Sequence, residues 1–222
     1  MTAPVQTLRL ADAREAADLA AFLGRLIHYD RAAAVRLQAG GGALAVFGRP
    51  PSFEVLAIRT ARLAEPVGLD VTVSAGELLE SVGGSRLSVP TAVTGPPWTG
   101  VLPPRGGWRE MPGLPAPDRL RGAVAAAVAE FRARDEALPA GHRSRAERDR
   151  IGREIWSRPL GDTGLPLRAV HAAQALGFLR PAPHDAPAPA LLAAGGWLRL
   201  RTPFGSVAVR GAGLGTLEVT LV

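Results

Sequence analysis

Arg168, His171 and Gln174 stand at i, i+3 and i+6, so a helix following Pro166 carries them on one polar edge. Leu167, Val170 and Ala173 then take the opposite, apolar side. Arginine and glutamine on such an edge have the donor geometry to meet base edges in a major groove. Downstream, Trp197–Arg201 and Ser206–Arg210 alternate about Thr202-Pro203-Phe204-Gly205 and read as a hairpin. Leu198, Leu200, Val207 and Val209 face inward, while Trp197, Arg199, Arg201 and Arg210 face out, where guanidinium groups can neutralise phosphate. Arg168, His171, Gln174, Arg199, Arg201 and Arg210 are therefore the candidate nucleic-acid-binding residues, with double-stranded DNA as the partner. The competing reading is plain: any amphipathic helix or half-exposed hairpin needs a polar side.

A second candidate surface is the loop around Thr94-Gly-Pro-Pro-Trp and Leu102-Pro-Pro-Arg. Between Pro90 and Pro117 it holds eight prolines and five glycines. Proline pre-organises such a loop, and Trp98, Arg105 and Trp108 are its candidate contacts with another protein. The alternative is a loop whose indoles anchor it to a neighbouring sheet or helix.

Enzyme chemistry finds little here. His28, His142, His171 and His184 lie far apart without metal-ligand spacing, and no cysteine is present, so no metal site and no thiol nucleophile is expected. No Gly-x-Ser-x-Gly occurs, and a Walker A loop is impossible without lysine. No catalytic residue and no cofactor is assigned; the chain is read first as a non-enzymatic regulatory or DNA-associated protein, with a small-molecule enzyme lacking a recognisable motif as an alternative. The densest charge run, Arg143 to Glu154, pairs its own charges at i, i+4 and reads as a solvated helix face.

The elements that must position these side chains give an α+β fold in parts. Over residues 1–90, a strand near Val5–Leu10 precedes a helix capped by Asp12 with Glu15 three residues on. Strands follow at Ala33–Ala39, Ala43–Gly48, Phe53–Leu63 and Leu69–Val73, then a short helix capped by Ser74, giving a helix on an antiparallel meander. Residues 91–116 are an ordered loop or linker. Residues 117–222 are basic and mainly helical, with helices at Asp118–Leu138, Ser144–Trp156 and after Pro166. The hairpin and a last strand at Thr216–Val222 close the chain. Three helices and a hairpin in this order are similar to a winged-helix domain.

Cation chemistry rests wholly on arginine: there are 26, with no lysine and no asparagine, a bias of G- and C-rich coding. Residues 1–90 balance nine arginines with nine acids, so the net charge of +6 belongs to the remainder. Met1–Glu15 shows no apolar signal region and no segment is long enough to span a bilayer, so a cytoplasmic, membrane-free protein is expected.

Asp30 to Gln38, Val46-Phe-Gly-Arg-Pro-Pro, Thr94-Gly-Pro-Pro-Trp and Trp197-Leu-Arg-Leu-Arg-Thr-Pro-Phe-Gly-Ser-Val resemble hypothetical proteins of high-GC actinobacteria. That resemblance covers most of the chain and implies no activity. The order helix, strands, then Leu69-Asp-Val-Thr-Val-Ser-Ala-Gly-Glu-Leu-Leu-Glu is also similar to one DNA sliding-clamp module.

Overall fold

The computed structural model describes residues 6–51, 53–139, 141 and 143–211. The expected strand at 216–222 and His142 lie outside the described residues. Helix α1 (Ala13–Tyr29) begins where the Glu15 N–H donates to Asp12 Oδ1 at 2.9 Å, the predicted cap. Ala16, Leu19, Phe22, Leu23 and Leu26 recur at helical spacing and are its buried stripe. Strands β2 (Ala34–Gly40), β3 (Ala43–Gly48), β4 (Leu56–Arg62) and β5 (Leu69–Ser74) follow, and Ser74 caps α2 (Ala75–Ser81). Strands β1 (Thr7–Arg9), β6 (Val82–Gly83) and β7 (Arg86–Ser88) form a small three-stranded sheet.

Beyond a loop come β8 (Arg109–Met111), then α3 (Pro117–Glu136), α4 (Arg145–Trp156) and α5 (Leu167–Ala175). Strands β9 (Ala190–Ala194), β10 (Trp197–Thr202) and β11 (Gly205–Arg210) complete the described chain. The fold is α+β, with all strand pairs antiparallel. Among the described residues its main sheet has eight strands in the order β5-β2-β3-β4-β11-β10-β9-β8. The seam is β4 against β11, with Ala57 opposite Val207.

That seam corrects the winged-helix expectation. A wing projects with free edges, whereas here β11 pairs with β4 and β10 with β9, leaving neither edge of the hairpin open. Unpaired edge groups favour another strand, and the hairpin is apolar on both faces near the seam, so it is built into the sheet. Helix α5 lies against β10 and β11 with Ala169, Val170, Ala172 and Ala173 buried, and does not stand clear as a recognition helix.

One sheet face is dry. Val35, Leu37, Leu44, Val46, Leu200 and Val207 pack there against α1, α2, α3 and α5 in a single cluster running from Leu8 to Val209. The other face carries a smaller cluster of Phe47, Leu56, Ile58 and Ala208. Strand alternation produces this division, and the partly open face holds the candidate site. Among the described residues, no helix is long and apolar enough to cross a membrane.

Candidate functional site

Residues 93–108 form a strap across the open face of the sheet. It leaves the β5 edge where the Val93 N–H donates to the Thr72 carbonyl at 2.9 Å, and it ends at β8 on the opposite edge. A 3-10 turn (Pro97–Gly100) presses Trp98 onto Phe47, Leu56, Ile58 and Ala208, with Leu102 and Trp197 beside it. Arg36 Nη1 donates to the Thr99 carbonyl at 3.1 Å, and the Trp108 indole N–H donates to the Pro104 carbonyl at 3.0 Å. The strap leaves two basic clefts, one on each side.

The first cleft, about 440 Å³, is lined by Arg49, Glu54, Trp98, Arg168, Trp197 and Arg210 among others. Arg210 lies over the Trp197 ring at 5.3 Å. Arg168 Nε is buried without a hydrogen-bond partner, and its nearest carboxylate oxygen, on Glu54, is 3.9 Å away. Glu54 has φ 53°, the only positive φ at a non-glycine among the described residues. Such a left-handed residue costs on the order of 1–2 kcal/mol and clusters at functional sites.

The second cleft joins two adjoining depressions through Thr60 and Arg199; Gln38, Arg105 and Arg201 complete its polar rim, beside Pro104. Arg199 Nε donates to Ser206 Oγ at 2.8 Å, and its guanidinium faces the Trp108 ring at 5.6 Å. Burial, and then the neighbouring Arg201, push the Arg199 guanidinium below the ordinary arginine range.

Ion pairs are concentrated on the helical side, and on the strapped face Arg36 meets Asp70 at 2.8 Å. On the helical side Arg59, Arg62 and Arg180 meet acids of α1 and its cap, while Arg134, Arg148 and Arg158 join acids of α3 and α4. The run from Arg143 to Glu154 is paired in part: Arg145 faces Asp149 at 3.9 Å and Arg150 reaches Glu147 and Glu154, while Arg143 donates to the Leu138 and Glu136 carbonyls. Bonds from Arg134 and Arg158 hold the exposed Glu154 carboxyl down to about 2. On the strapped face, Arg49, Arg199, Arg201 and Arg210 have no carboxylate within 4 Å among the described residues. Arg105 has only Asp70, at 3.9 Å.

The predicted residues therefore divide. Arg168 and Arg210 meet in the first cleft with Trp98, and Arg105, Arg199 and Arg201 line the second, with Trp108 against Arg199. Gln174 is exposed and lines neither. His171 stacks on Trp156 at 4.2 Å and meets Phe53 edge-on at 5.0 Å, tying α5 to α4 and to the segment before β4. No groove-reading edge survives on α5.

Burial lowers the His171 pKa below its ordinary value of 6.5. The folded state thus prefers the neutral ring. Stability is whole above the unfolded value and falls as pH drops below it, because the unfolded chain binds the proton more readily. Melting curves between about pH 7.5 and about pH 5 are expected to show this acid loss. His171→Phe keeps the stack and removes that part of the loss; an unchanged pH profile would contradict the assignment.

Arg49 and Glu54 belong to no recognisable motif, although Arg49-Pro50-Pro51 and the turn before β4 flag a constrained segment. Among the described residues, no group of three or more His, Asp or Glu is placed to hold a metal ion.

Residues 103–214, just over half of the chain, match the family model described as Domain of unknown function (DUF8185). The chain belongs to the DUF8185 family. Residues 3–100 match the model described as Domain of unknown function (DUF8010). The two matches meet inside the strap, so the DUF8185 part supplies β8 to β11 and the DUF8010 part β2 to β5 of one sheet. No curated protein matches the chain. Among solved structures it is similar to the crystal structure of DNA polymerase sliding clamp from Pseudomonas aeruginosa, at 12% identity and a TM-score of 0.49. That match covers 96% of this chain, which spans 66% of the clamp chain.

Proposed function

We propose that this is a non-enzymatic, DNA-associated protein that holds the phosphate backbone on the strapped face of its sheet. One observation carries the reading: Arg49, Arg199, Arg201 and Arg210 on that face have no carboxylate within 4 Å among the described residues, whereas Arg59, Arg134, Arg148 and Arg158 on the helical side are each ion-paired. Arg199 and Arg201 lie two residues apart on one strand and bring two uncompensated charges to the second cleft. Arginine forks suit phosphate oxygens. With α5 packed against β10 and β11, the predicted recognition helix is not free to enter a groove. Binding is therefore to backbone charge and independent of sequence.

Fluorescence anisotropy with a labelled duplex tests this. The full chain should bind at about 50 mM salt, and log K should fall with log salt by roughly 0.9 per phosphate neutralised. Arg199→Ala/Arg201→Ala should reduce that slope by about 2, and charge reversal at both positions should abolish binding. No binding by the folded wild type at low salt ends the proposal. A single strand serves as the second arm.

A protein partner on the strap is the second reading. Val93, Val101 and Met111 are 40%, 44% and 42% exposed, large apolar side chains along one segment and the strand it enters. Recovery of one partner from native cytosol, unaffected by nuclease, would favour it over DNA.

A further inference from the structure

The first cleft has a chemistry of its own, apart from the backbone contact proposed for the second. Arg49, Arg168 and Arg210 line it against the single carboxylate of Glu54, a balance of +2. A phosphomonoester at neutral pH carries close to −2. Its remaining wall is apolar, with Trp98 and Trp197 joined by Val55, Leu56, Val101 and Ala208. The volume of about 440 Å³ lies within the range of small-ligand pockets. Arg168 Nε is a buried donor with no acceptor, since Glu54 stands too far off to bond it. The Arg168 charge is thus only loosely compensated by Glu54 and remains available to the cleft. The strained Glu54 backbone sits on the same wall.

We propose that this cleft binds a small phosphomonoester carried on a planar ring, the chemistry of a nucleoside monophosphate. The three guanidinium groups hold the phosphate and the indoles receive the ring. Neither half of the ligand suffices: inorganic phosphate lacks the apolar contact and a nucleoside lacks the charge.

Isothermal titration of the full chain with adenosine 5′-monophosphate, inorganic phosphate and adenosine decides it. The monophosphate should bind, and each fragment should be weaker by about tenfold or more, the loss expected when a charge-assisted or stacking contact is removed. Arg210→Ala, at an exposed position, should weaken the monophosphate by about tenfold, and Arg168→Ala by as much. Tryptophan fluorescence should change on binding, and Trp98→Phe should diminish the change. The charge-reversed Arg199/Arg201 variant should bind the monophosphate like the wild type, which separates this site from the DNA contact. Equal affinity for phosphate alone, no affinity for the monophosphate, or indifference of both arginine variants overturns the proposal.

Discussion

Phe22→Ala is expected to destabilise the protein by about 3–5 kcal/mol, the range for truncating a core aromatic. Phe22 is 1% exposed on the buried stripe of α1 and stacks on Phe178 with ring centroids 5.7 Å apart. Phe178 cannot move to fill the space, because it is wedged against the hairpin tip: a Cβ at Gly205 would lie 2.5 Å from its ring. Gly205 itself has φ 154°, so alanine there is also strained. The contact thus joins α1, the turn after α5 and the β10–β11 connection. At roughly 2–4 °C per kcal/mol for a chain of this size, the melting point should drop by about 10 °C. The transition should stay single, since one apolar cluster spans both family matches. A loss below about 1 kcal/mol would mean the site relaxes freely and the stack contributes little.

Arg59→Ala should cost about 2–4 kcal/mol, close to the effect of orphaning a buried charge. The Arg59 side chain is 7% exposed; Nη1 donates to the Phe204 carbonyl at 2.9 Å, and Nη2 meets Glu15 at 3.1 Å and Asp18 at 3.4 Å. Glu15 and Asp18 are themselves 13% and 19% exposed. Each keeps one other arginine, Arg62 at 2.9 Å and Arg180 at 2.5 Å, so the penalty is moderated. The test is chemical denaturation of Arg59→Met alone and combined with Glu15→Gln and Asp18→Asn. Neutralising the carboxylates should recover much of the loss, because an apolar replacement of a whole buried ion group is often nearly neutral. Equal stability of the two variants would show that the loss is packing and the charges are idle.

Local chemistry is legible in the residues themselves. Asp12 with Glu15 and Ser74 with Glu77 mark two helix starts, and each aspartate or serine accepts the expected backbone N–H; Ser144 does the same for Glu147 at the start of α4. Alternation places Leu200 and Val207 inward and Arg199, Arg201 and Arg210 outward, in agreement with the fold. Strand β9 gives no local signal because Ala190-Leu-Leu-Ala-Ala follows an Ala/Pro stretch and carries no β-branched residue. Strand β8 gives none because three exposed residues, Arg109 to Met111, have no periodicity of their own. His171 reads as part of a polar edge, yet Trp156 and Phe53 take both its ring contacts.

The sequence by itself determined the α+β class, the helix caps, the arginine-only chemistry and the location of the +6 excess beyond residue 90. These follow from composition, capping and periods of two or 3.6, which act over a few residues. Only the tertiary structure decided which arginines keep free charge and where they meet. Pairing of residues 56–58 with 206–208 joins segments about 150 positions apart, and no local preference encodes that choice. It is made by burying two apolar faces at once, which lays the strap over one of them and opens a basic cleft on either side.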